Sequence, residues 1–275
     1  MAYEFDTATA LTAVETDTAG ETRFTGELLD GWDIGGVANG GYLLALAGRA
    51  VSEATGASPL TITAHYLRPG RPGPLEAIVT TVKSGRQFTA VDFELRRDGD
   101  AVIRGMAACG ARPGSSFHHV GLMPPMLAAY DELPDSTVPA DETGAMMQRP
   151  GLTDRLAVRM RHGDADFRVG RPTGRDDLAG WFAFADGRPI DELAVLLAVD
   201  AFAPAVFNML GEPSWVPTIE LTVHLRATPS PGPLRCAMRS DVVTGGFLNE
   251  DGTIWDSDGH LVAQSRQLGL LPRGS

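Results

Sequence analysis

Two kinds of hydrophobic pattern follow one another along this chain, and they do so twice. Thr61-Ile-Thr-Ala-His-Tyr-Leu67 switches between polar and apolar at nearly every step, the period of a strand with one buried face. Residues 75–82, 88–96 and 101–110 predict further strands, separated by the turn-forming Arg68-Pro-Gly-Arg-Pro-Gly-Pro74 and by Asp98-Gly99, a pair that favours a tight hairpin. Before them, residues 42–51 are apolar almost all round, which predicts a buried helix. A glycine-rich approach, Gly31-Trp-Asp-Ile-Gly-Gly-Val-Ala-Asn-Gly-Gly41, leads into it. Residues 1–30, polar, Thr-rich and alternating, are expected to open the fold as a strand or hairpin.

The same order then returns. Residues 119–150 carry Pro124, Pro125, Pro134, Pro139 and Pro150 among Ser, Asp and Met, a linker composition with room for short helices at most. Beyond it, residues 157–161 and 181–184 predict strands, 191–210 predict a long Ala- and Leu-rich helix, and strands follow again. Thr63-Ala-His-Tyr-Leu-Arg-Pro-Gly-Arg-Pro-Gly-Pro-Leu75 matches Thr222-Val-His-Leu-Arg-Ala-Thr-Pro-Ser-Pro-Gly-Pro-Leu234 at a constant offset of 159. Phe88 falls on Phe247 at that offset, and Asp98-Gly99 falls on Asp258-Gly259 one residue further. A unit of one helix and one sheet is too small to hide both faces alone, so the two copies are expected to pair. The chain therefore divides into residues 1–118, a linker at 119–150 and residues 151–271, a fused pair of similar α+β domains. Leu271-Pro-Arg-Gly-Ser275 resembles a protease-site remnant and is assigned no structural part.

One residue interrupts the apolar run of the second helix. With Leu196 and Leu197 a turn before it and Ala203 and Pro204 a turn after, Asp200 projects a carboxylate from an apolar stripe. Burial of that charge is costly unless it is hydrogen-bonded or has chemistry to perform. Alternatively, Pro204 breaks the helix and Asp200 caps its second piece. The glycines before the first helix also have two readings. They permit a tight turn and close packing, or they leave the N–H groups of Gly40 and Gly41 open to an anion or a developing oxyanion.

Composition narrows the partners. A formal net charge of −12 argues against nucleic acid or an anionic membrane surface, since both select basic faces. Arginines far outnumber the single Lys83, and Arg68 with Arg71, or Arg96 with Arg97, offer a local anion site, although solubility is the ordinary explanation of surface arginines. No run of about 18 apolar residues and no charged-then-apolar leader pattern occurs, so a cytoplasmic protein is expected. Cys109 and Cys236 have neither the spacing nor the neighbouring histidines of a zinc site, and no metal or other cofactor is expected. No Gly-x-Ser-x-Gly elbow and no Rossmann glycine spacing is found. Asn249-Glu-Asp-Gly-Thr-Ile-Trp-Asp256 has the ligand-rich look of a calcium loop but is read as a hairpin turn between strands.

Five separated motifs, Asn39-Gly-Gly-Tyr42, Tyr66-Leu-Arg-Pro-Gly70, Gly85-Arg-Gln-Phe88, Trp215-Val-Pro-Thr-Ile-Glu220 and Leu261-Val-Ala-Gln-Ser-Arg-Gln267, carry a family resemblance over roughly residues 20–271. The chain resembles the acyl-CoA thioesterase II type and its actinobacterial relatives. That resemblance implies a double hot-dog fold, in which a buried helix is wrapped by an antiparallel sheet twice over. It also implies hydrolysis of an acyl-CoA by a water held by an Asp, a Thr and a Gln, at positions that match Asp200, Thr218 and Gln267. The CoA phosphates would lie against arginines such as Arg68 and Arg71, and double units of this type pair further into homo-oligomers. At the repeat offsets the first copy has Gly40, Pro59 and Ala107 instead, the pattern of a duplication with one chemically competent half. Strand alternation, however, puts Thr218 with Glu220, Thr222 and His224 on the polar face; a bulge near Pro217, or a site between the halves, would reconcile the two. A hydratase would want a histidine beside the Asp, but His65 and His224 occur in both copies and look like ordinary strand positions. A noncatalytic acyl-binding or oligomer-forming module is the remaining alternative.

Overall fold

The computed structural model describes residues 2–136, 150–210 and 215–271; residues 137–149 of the expected linker and 272–275 of the expected remnant lie outside the described residues. The first half contains α1 (Glu4–Ala8), β1 (Thr12–Val14), β2 (Glu21–Leu28), the short pair β3 (Asp33–Ile34) and β4 (Val37–Ala38), and α2 (Gly40–Thr55). Four strands complete it: β5 (Pro59–Tyr66), β6 (Gly73–Ser84), β7 (Thr89–Arg97) and β8 (Asp100–Cys109). The second half runs through β9 (Leu156–Met160), β10 (Asp177–Phe184), α3 (Glu192–Ala198) and α4 (Phe207–Leu210). It ends with β11 (Thr218–Leu225), β12 (Leu234–Arg239), β13 (Val243–Thr244), β14 (Phe247–Trp255) and β15 (Leu261–Leu270).

One antiparallel sheet spans both halves. Its order runs β2-β6-β7-β8-β5 up to the seam and β11-β15-β14-β12-β10 away from it, so each half mirrors the other in strand sequence. At the seam β5 and β11 pair with Ala64 opposite Leu221 and Ile62 opposite Val223. Thr63 and Thr222, equivalent residues of the two copies, meet there with their hydroxyls 2.9 Å apart. Equivalent residues can touch one another only near an axis relating the copies, which is why the repeat legible in the sequence closes into a single sheet.

The helices lie inside the curl of this sheet, and the arrangement is a double hot-dog. Helix α2 is capped at its start by Asn39, whose side chain accepts the Tyr42 N–H at 3.0 Å, and at its end by Gly56 with φ of 69°, a left-handed position suited to glycine. Leu44, Ala45, Leu46, Ala47 and Val51 are fully buried, as the all-round apolar pattern requires. Helix α3 packs directly on α2 through Gly41 and Gly48. A Cβ on Gly41 would meet the Leu197 carbonyl at 2.6 Å, and one on Gly48 would meet Leu196 Cδ1 at 2.4 Å, so the two helices approach this closely only over glycine.

Three sequence expectations are corrected. The hairpin expected within residues 1–30 forms between β1 and β2, but helix α1 precedes it and puts Phe5 in the core, where its ring lies 5.4 Å from Trp32 and 5.0 Å from Phe184. Residues 191–210 are not one helix: α3 stops at Ala198 and α4 begins only at Phe207. Pro204 has no N–H and disfavours helix in the residue before it, and Asp200 caps neither piece. Finally, residues 249–255 form the interior of β14 and not a turn, with Leu248, Glu250, Gly252 and Ile254 buried in alternation. Among the described residues no helix is long and apolar enough to cross a membrane.

Candidate active site

The turn that ends α3 sets Asp200 against the first residues of α2. Its Oδ2 accepts the Gly41 N–H at 2.9 Å and Asn39 Nδ2 at 3.0 Å, while the same Asn39 Nδ2 reaches the Asp200 backbone carbonyl at 2.8 Å. The Gln267 side chain and the Gly40 N–H lie near the same carboxylate and favour its charged form. Gly40 must be glycine here, since a Cβ would fall 2.8 Å from Asp200 Oδ2 and 3.1 Å from Tyr66 Cε1. Tyr66 seals this corner by donating its hydroxyl to the Gly40 carbonyl at 2.7 Å.

Gln267 and Thr218 arrive on neighbouring strands. Gln267 stands opposite the fully buried Leu221 in the β11–β15 ladder and is itself only 8 % exposed, so it faces the helices. The ladder slips by one residue between Thr218 and Glu220, leaving Ile219 as the extra residue of a bulge. Thr218 therefore pairs with the buried Gly269 and turns to the inner face, where its Oγ1 accepts a hydrogen bond from Gln267 Nε2. Were Ile219 part of a regular ladder and not bulged, strict alternation would carry Thr218 to the outside with Glu220.

Electrostatics follow from burial. Loss of water around Asp200 pushes its pKa up to about 6, against the opposing hydrogen bonds from Gly41, Gln267, Asn39 and Gly40. A carboxyl poised there is ionised at neutral pH yet basic enough to take a proton. Burial likewise drives the Tyr66 phenol well above its ordinary value, helped by the charges of Asp200 and Glu220.

The structure thus brings Asp200, Thr218 and Gln267 together, and treats the other candidates differently. The amides of Gly40 and Gly41 face the Asp200 carboxylate, so the start of α2 holds that residue in place of the expected oxyanion. The Ala201 N–H, beyond the end of α3, bonds back to Ala198 O at 3.4 Å. Arg68 forms an ion pair with Asp100 at 3.2 Å, with both side chains more than half exposed, a contact worth little in water. Arg71 is exposed on the same loop, whose Gly70 carbonyl accepts the Ala38 N–H at 2.7 Å beside the Asn39 cap. Arg96 and Arg97 are engaged elsewhere, by Glu94 at 2.6 Å and by the Arg71 carbonyl at 2.8 Å.

Other features of the surface bring no comparable set together. His65 and His224 are exposed, on the face turned away from the helices. An open groove of about 400 Å³, lined by His65, Leu67, Asp92, Arg104 and Met106, lies on that outer side and does not include Asp200. Asp256, Asp258 and His260 bring ligand atoms within 4.8 Å of one another, but Asp256 Oδ1 accepts the amides of Asp258 and His260 at 3.1 and 2.8 Å, the bonding of a hairpin turn.

Asn39, Tyr66 and Glu250 at this site were not singled out as functional side chains from the sequence. Asn39 and Tyr66 stood inside motifs already noted. Glu250 was hidden by reading its strand as a turn, although Leu248, Glu250, Gly252 and Ile254 alternate with polar residues in the period of a strand.

Comparison with known proteins bears on the family and the fold. Residues 28–110 match the family model of the acyl-CoA thioesterase N-terminal domain, and residues 131–271 match that of the acyl-CoA thioesterase C-terminal domain. Fold and matches together define a thioesterase of double hot-dog architecture, and the chain belongs to the acyl-CoA thioesterase family. A Thermobifida fusca protein described as a thioesterase II is 30% identical, with a TM-score of 0.86 over 98% of both chains. A hot-dog protein of unknown function from Alicyclobacillus acidocaldarius is 23% identical, with a TM-score of 0.85 over 100% of both. An uncharacterized Mycobacterium tuberculosis protein is 29% identical over 289 residues, 98% of each sequence.

Proposed function

We propose that this protein hydrolyses an acyl-CoA to the free acid and CoA, with Asp200 as the base that orients and deprotonates the attacking water. The water oxygen bonds to the thioester carbonyl carbon while its proton passes to Asp200. Collapse of the tetrahedral adduct breaks the C–S bond, and the departing thiolate takes that proton. Thr218 Oγ1 and the Gln267 side-chain amide fix the line of attack, the positioning contribution that makes a held water far more reactive than a free one. This attack needs no cofactor. The acyl chain lies in the apolar space beside the helices, and the CoA phosphates lie outside it against Arg68 and Arg71.

The observation that carries this reading is the meeting of one carboxylate, buried and held near pKa 6, with Thr218 and Gln267 in only one of two otherwise equivalent halves. Purified protein is incubated with a panel of acyl-CoAs and a thiol reagent. Thiol release by the wild type that is lost in Asp200→Ala is the expected result. Binding of acyl-CoA without release would leave a noncatalytic acyl-binding module instead.

A further inference from the structure

We propose that Glu250 is a positioning residue of this site, a second carboxyl that holds the turn carrying Asp200 in its working geometry. The inference rests on the reading of Asp200 as the base, and three observations support it.

The first is placement. Glu250 stands directly across the β14–β15 ladder from Gln267 and is 7 % exposed, so both side chains face the helices. The second is what it holds. Its Oε2 accepts the Ala205 N–H at 2.6 Å, and Ala205 lies near the far end of the irregular segment 199–206 that carries Asp200. The first amides of that segment bond back into α3, Asp200 to Leu197 and Ala201 to Ala198, whereas the Ala205 N–H takes its acceptor from the sheet. Glu250 provides it and pins the far end of the turn to the sheet. The third is the repeat. Val91 and Ala107 face each other in the β7–β8 ladder, at the positions equivalent to Glu250 and Gln267, and both are buried as ordinary core residues. The half without the catalytic set therefore has Gly40, Val91 and Ala107 where the other has Asp200, Glu250 and Gln267.

The surroundings keep Glu250 uncharged at neutral pH. Burial raises its pKa to about 8, opposed by the Ala205 hydrogen bond and assisted by Asp200 and Asp251. On β15 the facing Gln267 carries no charge. Arg266 is occupied by Asp251 at 2.6 Å, and Arg239 by Asp176 and Asp241. A neutral Glu250 can sit close to the Asp200 carboxylate, whereas an ionised one repels it and loosens the turn.

The experiment measures kcat and KM across pH for wild type, Glu250→Ala, Glu250→Gln and Asp200→Ala, with thermal melts as the check of folding. Glu250→Ala is expected to lower kcat by about a hundredfold with little change in KM, the scale of a displaced catalytic group. Glu250→Gln keeps an acceptor for Ala205, so it restores most of that loss and removes the alkaline fall expected of wild type near pH 8. Wild-type kcat in Glu250→Ala, or an alkaline fall that persists in Glu250→Gln, overturns the inference. If Asp200→Ala stays active, the reading of the base fails; if it is inactive while Glu250→Ala is normal, only the role of Glu250 fails. Should Glu250→Ala not fold, the pH profile of Glu250→Gln decides alone.

Discussion

Helix α2 lies between β2 and β5 and helix α3 between their counterparts β10 and β11, yet the two are built differently and out of register, since Asp200, the counterpart of Gly40 at the start of α2, follows the end of α3. Helix α2 runs for 16 residues with a side-chain cap at one end and a left-handed glycine at the other. Helix α3 has seven residues and passes into an irregular turn. The regular helix lends its first amides and its Asn39 cap to the neighbour, and the short one leaves its backbone early enough to swing a carboxylate into that cap. A duplicated fold thus separates two demands that conflict in one copy. One half supplies a rigid N-terminus rich in hydrogen-bond donors, and the other supplies the charged group the donors hold. The glycine at position 40 is the counterpart of that division, because a side chain there would occupy the space of the Asp200 carboxylate.

The strongest way to break this asymmetry is to remove its charge. Asp200→Asn keeps the size and one acceptor oxygen but cannot take a proton, and kcat is expected to fall about a thousandfold, within the range of general-base contributions. Steady-state assay of thiol release checks this, and an unchanged kcat would mean that the two halves do not differ in chemistry. The next test acts from the other half. Gly40→Ala brings a methyl group within 2.8 Å of Asp200 Oδ2 and must push the carboxylate aside, so kcat is expected to drop about a hundredfold while the acid-limb midpoint near pH 6 shifts. Full activity in this variant would show that the close approach of the halves has no bearing on turnover.

A milder test concerns Thr218. Thr218→Val keeps shape and loses the hydroxyl, and about a tenfold fall in kcat is expected, since one of several contacts to the water is lost. Inserting one Ala between Thr218 and Ile219 should do the same or worse, since the added residue takes the place opposite Gly269 and carries Thr218 to the outer face. Comparing the two by kcat, with circular dichroism to confirm folding, separates the hydroxyl from the bulge that aims it. An insertion variant with wild-type kcat would show that the register of Thr218 is not what matters to the site.

Much of this was legible before any coordinates. The alternating strands, the all-round apolar helix and the offset of 159 between Thr63 and Thr222 gave the repeat, and the seam shows the two residues in contact. Local pattern could not give what tertiary packing decides. Asp200 looked like a helix residue because Ala and Leu around it favour helix, yet the chain leaves the helix at Ala198. Thr218 looked misplaced because a single extra residue, invisible to periodicity, reverses a strand face. Gly40 and Gly41 looked like an open anion site because a sequence does not show that a carboxylate from the other half already fills it. Glu250 was lost to Gly252, read as a turn signal although Ser265 Oγ would lie 2.2 Å from a Cβ there, a place in the strand where only glycine fits.

The smallest expected effect concerns stability and follows from the same asymmetry. Glu250 has an ordinary pKa of 4.5 and is raised to about 8 in the fold, and Asp200 goes from 3.8 to about 6. Between those limits the folded chain keeps protons that the unfolded chain has released. Stability contributed by these groups is therefore fully present below about pH 4 and declines as pH rises, through about 6 for Asp200 and about 8 for Glu250. The first half, with Gly40 and Val91 in the equivalent places, contributes no such slope. Glu250→Gln should remove the part of the decline above pH 6, so the melting temperature of the variant relative to wild type should rise between pH 6 and pH 8.5. Parallel melting curves for the two proteins across that window would mean that Glu250 gains no protection from ionisation in the fold, and that the second half carries one carboxyl of raised pKa instead of two.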